Sequence, residues 1–157
     1  MTIPATSPQA STISTDSREM TAAELDNAGL LHAGENVMIS RFAVFVPADE
    51  LGVIRPVVVG DGARIGAFAV VHGGTTIAER ARIEERAVVG KPEHGYAVGR
   101  IRSGHGGGTV IGSGVVIRCG AVIYAAVGIG ADTVVGHHTV LRTGVRVGAD
   151  TQLGHQL

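Results

Sequence analysis

A branched aliphatic residue recurs at every sixth position through most of this 157-residue chain. The fourteen positions form two runs, which are Val59, Ile65, Val71, Ile77, Ile83 and Val89, then Ile111, Ile117, Ile123, Ile129, Val135, Leu141, Val147 and Leu153. A period of six fits neither a helix nor an alternating strand, unless the chain turns a corner every six residues. Hexapeptide periods are typical of solenoids of the parallel β-helix type. The sequence therefore predicts a triangular β-helix with three hexads in each coil.

The sizes of the side chains support this geometry. A smaller residue, most often Ala, Thr or Val, lies four places after each aliphatic residue and would pack beside it in the interior. Gly follows the aliphatic residue directly in many hexads, and we expect it at corners where the backbone needs a positive φ. Aromatic residues make up only 3 % of the chain, as a narrow prism requires. Neighbouring coils would stack at about 4.8 Å.

Composition limits the partners and the setting. The net charge of -1 gives no reason to expect nucleic acid or an anionic membrane as a partner. The single cysteine rules out an internal disulfide, and a reducing cytoplasm is the simplest setting. We find neither a signal-peptide pattern nor an apolar stretch long enough to span a bilayer. A soluble, cytoplasmic protein is therefore expected.

The chain divides into three predicted parts. Residues 1–18 have a polar, Ser/Thr/Pro-rich composition that predicts a disordered tail. Residues 19–52 predict an N-terminal cap, in which a Thr21/Glu24 capping box starts a short helix that ends near residues 29–34. An imperfect first coil over residues 37–46 follows. Residues 53–157 predict the regular β-helix.

A loop at residues 91–108 interrupts the repeat. The gap between Val89 and Ile111 equals one hexad plus 16 residues, so the loop can leave and return at a corner without shifting the register. Long loops on rigid scaffolds are often functional, although an arm that only contacts another subunit is an equally simple interpretation.

If the loop does not shift the register of the hexads, equivalent side chains of successive coils lie in columns, one coil apart. The three outer columns are Ala67, Glu85, Cys119, His137 and His155; Phe68, Arg86, Gly120, His138 and Gln156; and His72, Gly90, Tyr124 and Arg142. The first two columns lie at corners that point outward. We therefore expect their histidines to be accessible to a ligand or to a partner subunit.

The hexads, the loop that follows Gly90-Lys91-Pro92, and the segment from Val135 to Leu141 together resemble the bacterial hexapeptide-repeat acyltransferases. The resemblance is closest to members that N-acylate nucleotide-linked amino sugars. It implies an all-β, left-handed parallel β-helix and a homotrimer with active sites between neighbouring prisms. It also implies acetyl-CoA or another acyl-CoA as co-substrate, a small-molecule amine or hydroxyl as acceptor, and a histidine as general base.

The resemblance identifies candidate bases. In such enzymes the base lies two residues after an aliphatic residue, a pattern that His137 fits, and His138 is its neighbour. Histidine suits this role because its pKa lies near neutrality. The simpler alternative is that both are polar corner residues. His72 is a further candidate, with a structural role in the turn at Gly73 and Gly74 as its alternative.

Four basic residues are candidates for binding phosphates of CoA or of a nucleotide: Arg142 on the β-helix, and Lys91, Arg100 and Arg102 in the loop. Surface arginines that are merely solvated are the common alternative.

Two other functions remain open. The γ-class carbonic anhydrases share this fold and bind zinc through histidines, but Arg142 stands where the second histidine of one pair would be. Cys119, His137 and His155 offer another possible zinc set. The chain also ends at Leu157 in mid-hexad, with fewer coils than the enzymes it resembles, so a non-catalytic trimeric scaffold is the second alternative.

Overall fold

The computed structural model describes residues 18–93 and 104–157, and in these ranges the chain forms one helix and three parallel sheets. Sheet 1 contains β1 (Leu31–Ala33), β4 (Val57–Val59), β7 (Thr75–Ile77), β10 (Thr109–Ile111), β13 (Gly128–Ile129) and β16 (Arg146–Val147). Sheet 2 contains β2 (Met38–Ile39), β5 (Arg64–Ile65), β8 (Arg82–Ile83), β11 (Val116–Ile117), β14 (Val134–Val135) and β17 (Gln152–Leu153). Sheet 3 contains β3 (Val44–Val46), β6 (Val70–His72), β9 (Val88–Lys91), β12 (Val122–Tyr124) and β15 (Val140–Leu141).

Each strand pairs with the strand three elements later, so one strand from each sheet makes one coil. The described residues form five complete coils and the first two strands of a sixth. The parallel β-helix predicted from the hexads is confirmed. In these described ranges no helix has the length and apolar character needed to cross a membrane.

The core is a single column of the predicted residues. The hexad aliphatics from Val59 to Val135 are at most 3 % exposed, and Leu141 is 9 % exposed. The smaller residues beside them, such as Ala63, Thr109 and Thr139, are equally buried. Burying an aliphatic side chain of this size contributes about 1.5–3 kcal/mol, so the stacked hexad residues contribute most of the stability, and each coil depends on its neighbours to bury them.

The N-terminal helix is confirmed, but it is shorter than predicted. Helix α1 spans Ala22–Asn27, and Thr21 and Glu24 form the predicted capping box. Leu31 belongs to β1, where it pairs with Val57, so the first coil begins earlier than residue 37. Gly29 has a φ of 72°, a conformation that ends a helix and turns the chain toward the coil.

The loop leaves the register unchanged, as predicted. Ile111 of β10 pairs with Ile77 of β7, and Ile117 pairs with Ile83 in the next sheet. Each of these pairs is 34 residues apart, which is one 18-residue coil plus the 16 extra residues. The columns derived from the sequence therefore hold on both sides of the loop.

The expectation for the glycines was wrong in one respect. Positive φ mostly occurs three places after the aliphatic residue, at positions such as Gly62, Phe68 and His138. Of the described glycines that directly follow a hexad aliphatic residue, only Gly90 has a positive φ, of 79°. Glycine follows the aliphatic residue because the next coil lies too close for a side chain. A Cβ at Gly130, for example, would lie 2.4 Å from the backbone nitrogen of Ala149.

Candidate active site

The first candidate site lies at the corner between sheets 2 and 3. Strands β8, β11 and β14 are stacked neighbours in sheet 2, and the residues that follow them turn this corner in three successive coils. This places Glu84 and Glu85 beside Cys119, and places His137 beyond them. We call Glu84, Cys119, His137 and His155 the His137 corner.

Hydrogen bonds connect these coils. Arg118 donates to Oε1 of Glu84 at 2.8 Å, while Oε2 of Glu84 accepts from the Cys119 backbone N–H at 3.2 Å. The Cys119 thiol lies 3.4 Å from Oε2 of Glu84 and 3.4 Å from Oε2 of Glu85. Burial raises the pKa of the Cys119 thiol, and hydrogen bonds and charge from Glu85 and Glu84 raise it further. The thiol is thus held protonated and is a poor nucleophile near neutral pH.

The histidines of the corner are stacked as the register predicted. The rings of His137 and His155 have centroids 5.0 Å apart. The His137 backbone N–H donates to Nδ1 of His155 at 2.9 Å. His137 is half-buried, and His138 is exposed with a φ of 57°.

His138 lies over the backbone of the preceding coil. A Cβ at Gly120 would lie 2.4 Å from Nδ1 of His138, so the imidazole occupies the space that the missing side chain leaves. His137 and His138 therefore both reach the surface, but their side chains have different neighbours.

The second candidate site lies where the loop leaves sheet 3. The Arg142 guanidinium lies 5.1 Å from the centroid of the Tyr124 ring, one coil away. Arg142 also forms an ion pair with Glu93, whose side chain is only 8 % exposed. Lys91 ends β9 and pairs with Tyr124 across an irregularity in the ladder. We call Lys91, Glu93, Tyr124 and Arg142 the Arg142 cluster.

His72 lies beside this cluster, packed near Gly90. Gly90 has a φ of 79°, and a Cβ there would lie 2.1 Å from the Thr75 hydroxyl and 3.5 Å from the His72 Cβ. Burial lowers the pKa of His72 to about 4, and the charge of Lys91 contributes to this shift. Within the described residues, the buried Nδ1 of His72 has no hydrogen-bond partner. His72 is therefore neutral at neutral pH and a weaker base than an ordinary histidine.

Within one chain, the His137 corner and the Arg142 cluster lie apart. Arg142 lies four residue steps after His138 along mostly extended chain, which corresponds to roughly 13 Å along sheet 3. The candidate bases His137 and His138 thus lie at one edge of this sheet, and His72, Lys91 and Arg142 lie at the other. The candidates Arg100 and Arg102, and residues 1–17 of the predicted tail, lie outside the described residues.

The segment that returns from the loop is held by a buried ion pair. Asp49 accepts from Arg55 at 2.7 Å and from the Gly106 backbone N–H at 3.1 Å. Burial alone would raise the pKa of Asp49, but these hydrogen bonds, with those from Val53 and Leu51, outweigh it and hold the pKa well below its usual range. Residues 47–56 thereby fix the end of the loop against the β-helix.

A groove of about 570 Å³ runs over sheet 2 beside the His137 corner. Its charged lining residues are Arg64, Arg82, Glu84 and Glu85, and Arg64 and Arg82 are direct neighbours in the ladder of β5 and β8. Like charges in neighbouring strands repel each other, and an anion bound between them would relieve that repulsion.

Sequence reasoning missed Glu84 and Glu93. A signal for Glu84 was present, because it stands directly after an aliphatic residue, where most hexads have Gly. The other large residues at this position are His72, Arg118, Tyr124 and Arg142, and all of them belong to or contact the two candidate sites. Glu93 lies outside the repeat and carried no such signal.

Comparison with known proteins agrees with this fold. The family model described as bacterial transferase hexapeptide (six repeats) matches residues 56–91. The chain carries the bacterial transferase hexapeptide repeat. The resemblance noted from the hexads is thus confirmed for the repeat and the fold. A comparison with curated proteins finds no sequence match.

Two solved structures show the same fold. One is a mutant of AntD, an N-acyltransferase from Bacillus cereus, in complex with dTDP and coenzyme A; it is 20 % identical, with a TM-score of 0.61 over 76 % of this chain and 66 % of that chain. The other is the hexapeptide-repeat containing acetyltransferase VCA0836 from Vibrio cholerae, 22 % identical, with a TM-score of 0.62 over 86 % of this chain and 76 % of that chain. This chain thus spans just under two thirds of the AntD chain.

Proposed function

We propose that this protein is an acyl-CoA-dependent acyltransferase that transfers an acyl group, most simply acetyl, to an amine or hydroxyl of a small molecule such as an amino sugar. The observation that carries the proposal is His137, a half-buried histidine at a corner of a hexapeptide β-helix. The AntD complex supports it, since that N-acyltransferase of the same fold was solved with coenzyme A and dTDP. The single cysteine is in keeping with a cytoplasmic location.

In the proposed reaction, His137 accepts a proton from the acceptor as its nitrogen or oxygen attacks the thioester carbonyl. A tetrahedral intermediate forms, and a backbone N–H at a corner stabilises its oxyanion. The C–S bond then breaks, the acyl group remains on the acceptor, and the proton passes from His137 to the CoA thiolate. General-base help of this kind contributes about 10²- to 10⁴-fold to the rate.

Among the candidate bases, His137 is favoured. His72 has a pKa of about 4, far from the neutral value at which a general base works best. His138 is exposed and lies over Gly120, away from the acidic side of the corner. His137 is half-buried, and one of its ring nitrogens lies within 4.8 Å of a carboxylate oxygen of Glu84.

The cationic groups suit a phosphate-bearing co-substrate. Arg142 and Lys91 carry positive charge at the Arg142 cluster. Arg64 and Arg82 carry positive charge in the groove over sheet 2. We propose that one of these sites binds CoA phosphates and that the other is available for a charged acceptor.

We also propose a homotrimer, in which a neighbouring prism packs against the His137 corner or the Arg142 cluster and adds its own groups to the site. The exposed, stacked rings of Phe42 and Phe68, 48 % and 60 % exposed, form an apolar patch that a subunit contact would cover.

The test is titration of the full chain with acetyl-CoA by calorimetry, together with a free-thiol assay across amine and hydroxyl acceptors. His137→Ala is expected to keep acetyl-CoA binding and to lower kcat by about 10²- to 10⁴-fold. His138→Ala is the matched control and is expected to keep most of the activity. Failure to bind acetyl-CoA, or equal loss in the two variants, would count against this assignment. Sedimentation of the same preparation tests the trimer.

A further inference from the structure

We propose that Glu84, Cys119 and His137 bind a divalent transition-metal ion, with zinc favoured. One oxygen of Glu84, the sulfur of Cys119 and one ring nitrogen of His137 all lie within 4.8 Å of one another. The ligand atoms of a single tetrahedral zinc are roughly 3.3–3.6 Å apart, given its bond lengths. The Cys119 sulfur and Oε2 of Glu84 already lie at 3.4 Å. His137 is the third member of the set, since one of its ring nitrogens lies within 4.8 Å of both atoms.

The types of ligand select the metal. A thiolate and an imidazole are the ligands that zinc prefers, and a carboxylate is its usual oxygen ligand. Magnesium and calcium prefer sites made only of oxygen and do not match this set. Three protein ligands also leave a fourth position for water or for a bound molecule.

The surroundings of the thiol favour a cation. Its sulfur lies 3.4 Å from a carboxylate oxygen of Glu84 and 3.4 Å from one of Glu85. Without a metal, two carboxylate acceptors lie close to one weak S–H donor. A metal ion between these groups would replace those contacts by strong metal–ligand bonds. Arg118 binds the other oxygen of Glu84 at 2.8 Å and so directs Oε2 toward the thiol, as an outer-shell partner of a metal ligand does.

The scaffold holds the three ligands in place. They follow β8, β11 and β14, which are consecutive strands of one sheet, with Ile83, Ile117 and Val135 in direct register. The set differs from the Cys119, His137 and His155 combination considered from sequence. Nδ1 of His155 already accepts the His137 N–H, and Glu84 reaches into the site in its place.

Metal binding does not depend on the proposed acyltransferase activity. If His137 is the general base, however, a bound metal occupies the nitrogen lone pair that would accept the proton. Zinc would then inhibit acyl transfer, and a chelator would restore it. That consequence rests on the proposed function, whereas the binding measurement does not.

The experiment is titration of the chelator-treated full chain with zinc, followed by cobalt as a spectroscopic probe. We expect saturable binding of one ion per chain and a near-ultraviolet absorption band from a cobalt–thiolate bond. Cys119→Ser should abolish that band, and Glu84→Gln should weaken zinc binding by at least about tenfold. His138→Ala, an adjacent exposed histidine outside the set, should bind as the wild type does.

Several outcomes would overturn the site. The proposal fails if the wild type binds no zinc, if the cobalt complex lacks the thiolate band, or if zinc affinity is unchanged in both ligand variants. A loss of binding in His155→Ala as large as that in Glu84→Gln would instead restore the alternative histidine set. Circular dichroism of each variant separates loss of a ligand from loss of the fold. None of these measurements uses acyl transfer, so a negative result leaves the proposed function untouched.

Discussion

Nδ1 of His155 accepts a hydrogen bond from the backbone N–H of His137 at 2.9 Å, across one coil of the β-helix. The acceptor role of Nδ1 places the proton of a neutral His155 on Nε2. The bond also satisfies the backbone of the residue that we propose as the base. We therefore expect His155 to position His137.

Replacing His155 tests this relationship. His155→Ala removes the acceptor and the ring that lies against His137, so we expect the free energy of unfolding to fall by about 0.5–1.5 kcal/mol. We also expect a smaller loss of kcat than in His137→Ala, because the base remains but loses a contact that orients it. Urea unfolding and measurements of kcat check the two effects. Full activity in His155→Ala would show that His155 does not position the base.

The close approach of coils predicts a sharp difference between two glycines. A Cβ at Gly130 would lie 2.4 Å from the Ala149 nitrogen, whereas at Gly148 the nearest atom is the Thr151 hydroxyl at 3.9 Å. Both residues follow a hexad aliphatic and have ordinary φ. Gly130→Ala should therefore lower the free energy of unfolding by about 1–3 kcal/mol, as overpacking does. Gly148→Ala should be neutral or stabilising, and equal effects in urea unfolding would contradict this explanation.

The half-buried His72 predicts a loss of stability in mild acid. Its folded-state pKa of about 4 lies below the ordinary value of 6.5, so the unfolded chain binds the proton more tightly. The free energy of unfolding should fall as the pH drops from about 6.5 to 4, by at most about 3 kcal/mol. No such effect is expected above pH 6.5.

His72→Gln should remove most of this pH dependence, because glutamine does not titrate. His138→Gln, at an exposed corner, should keep it. Thermal unfolding of both variants and the wild type between pH 4 and 8 provides the measurement. A slope that survives in His72→Gln would assign the effect to other groups.

The buried Asp49 predicts local loosening at the end of the loop. Asp49→Asn removes the charge that pairs with Arg55 and weakens the bond from the Gly106 N–H, so we expect a loss of about 2–3 kcal/mol. Hydrogen exchange at Gly106 should accelerate more than at core strands. Asp150→Asn, at an exposed corner with a φ of 53°, is the control and should change little, because Asn tolerates that conformation. Unchanged exchange at Gly106 would argue against Asp49 as the anchor.

The hexad pattern specifies most of the backbone of this protein. The alternation of branched aliphatic and small residues sets the size of each face, and 18 residues per coil then fix the columns. This is why the register across the loop and the position of His137 beside His155 could be predicted. The short helix could be predicted separately, from the capping box of Thr21 and Glu24. The exact start of the first coil could not, because Leu31 fits a helical pattern as well as a strand.

The contacts between polar side chains could not be predicted from the hexads. Glu84 extends across a coil to Cys119 because Arg118 binds its other oxygen, and Glu93 contacts Arg142 although it lies outside the repeat. Gly90 allows the turn beside His72 and leaves that histidine half-buried with a lowered pKa. The hexad repeat specifies side-chain size, and side-chain size fixes how the coils stack. Contacts between charged side chains depend instead on rotamers and neighbours in other coils, which a six-residue pattern does not specify.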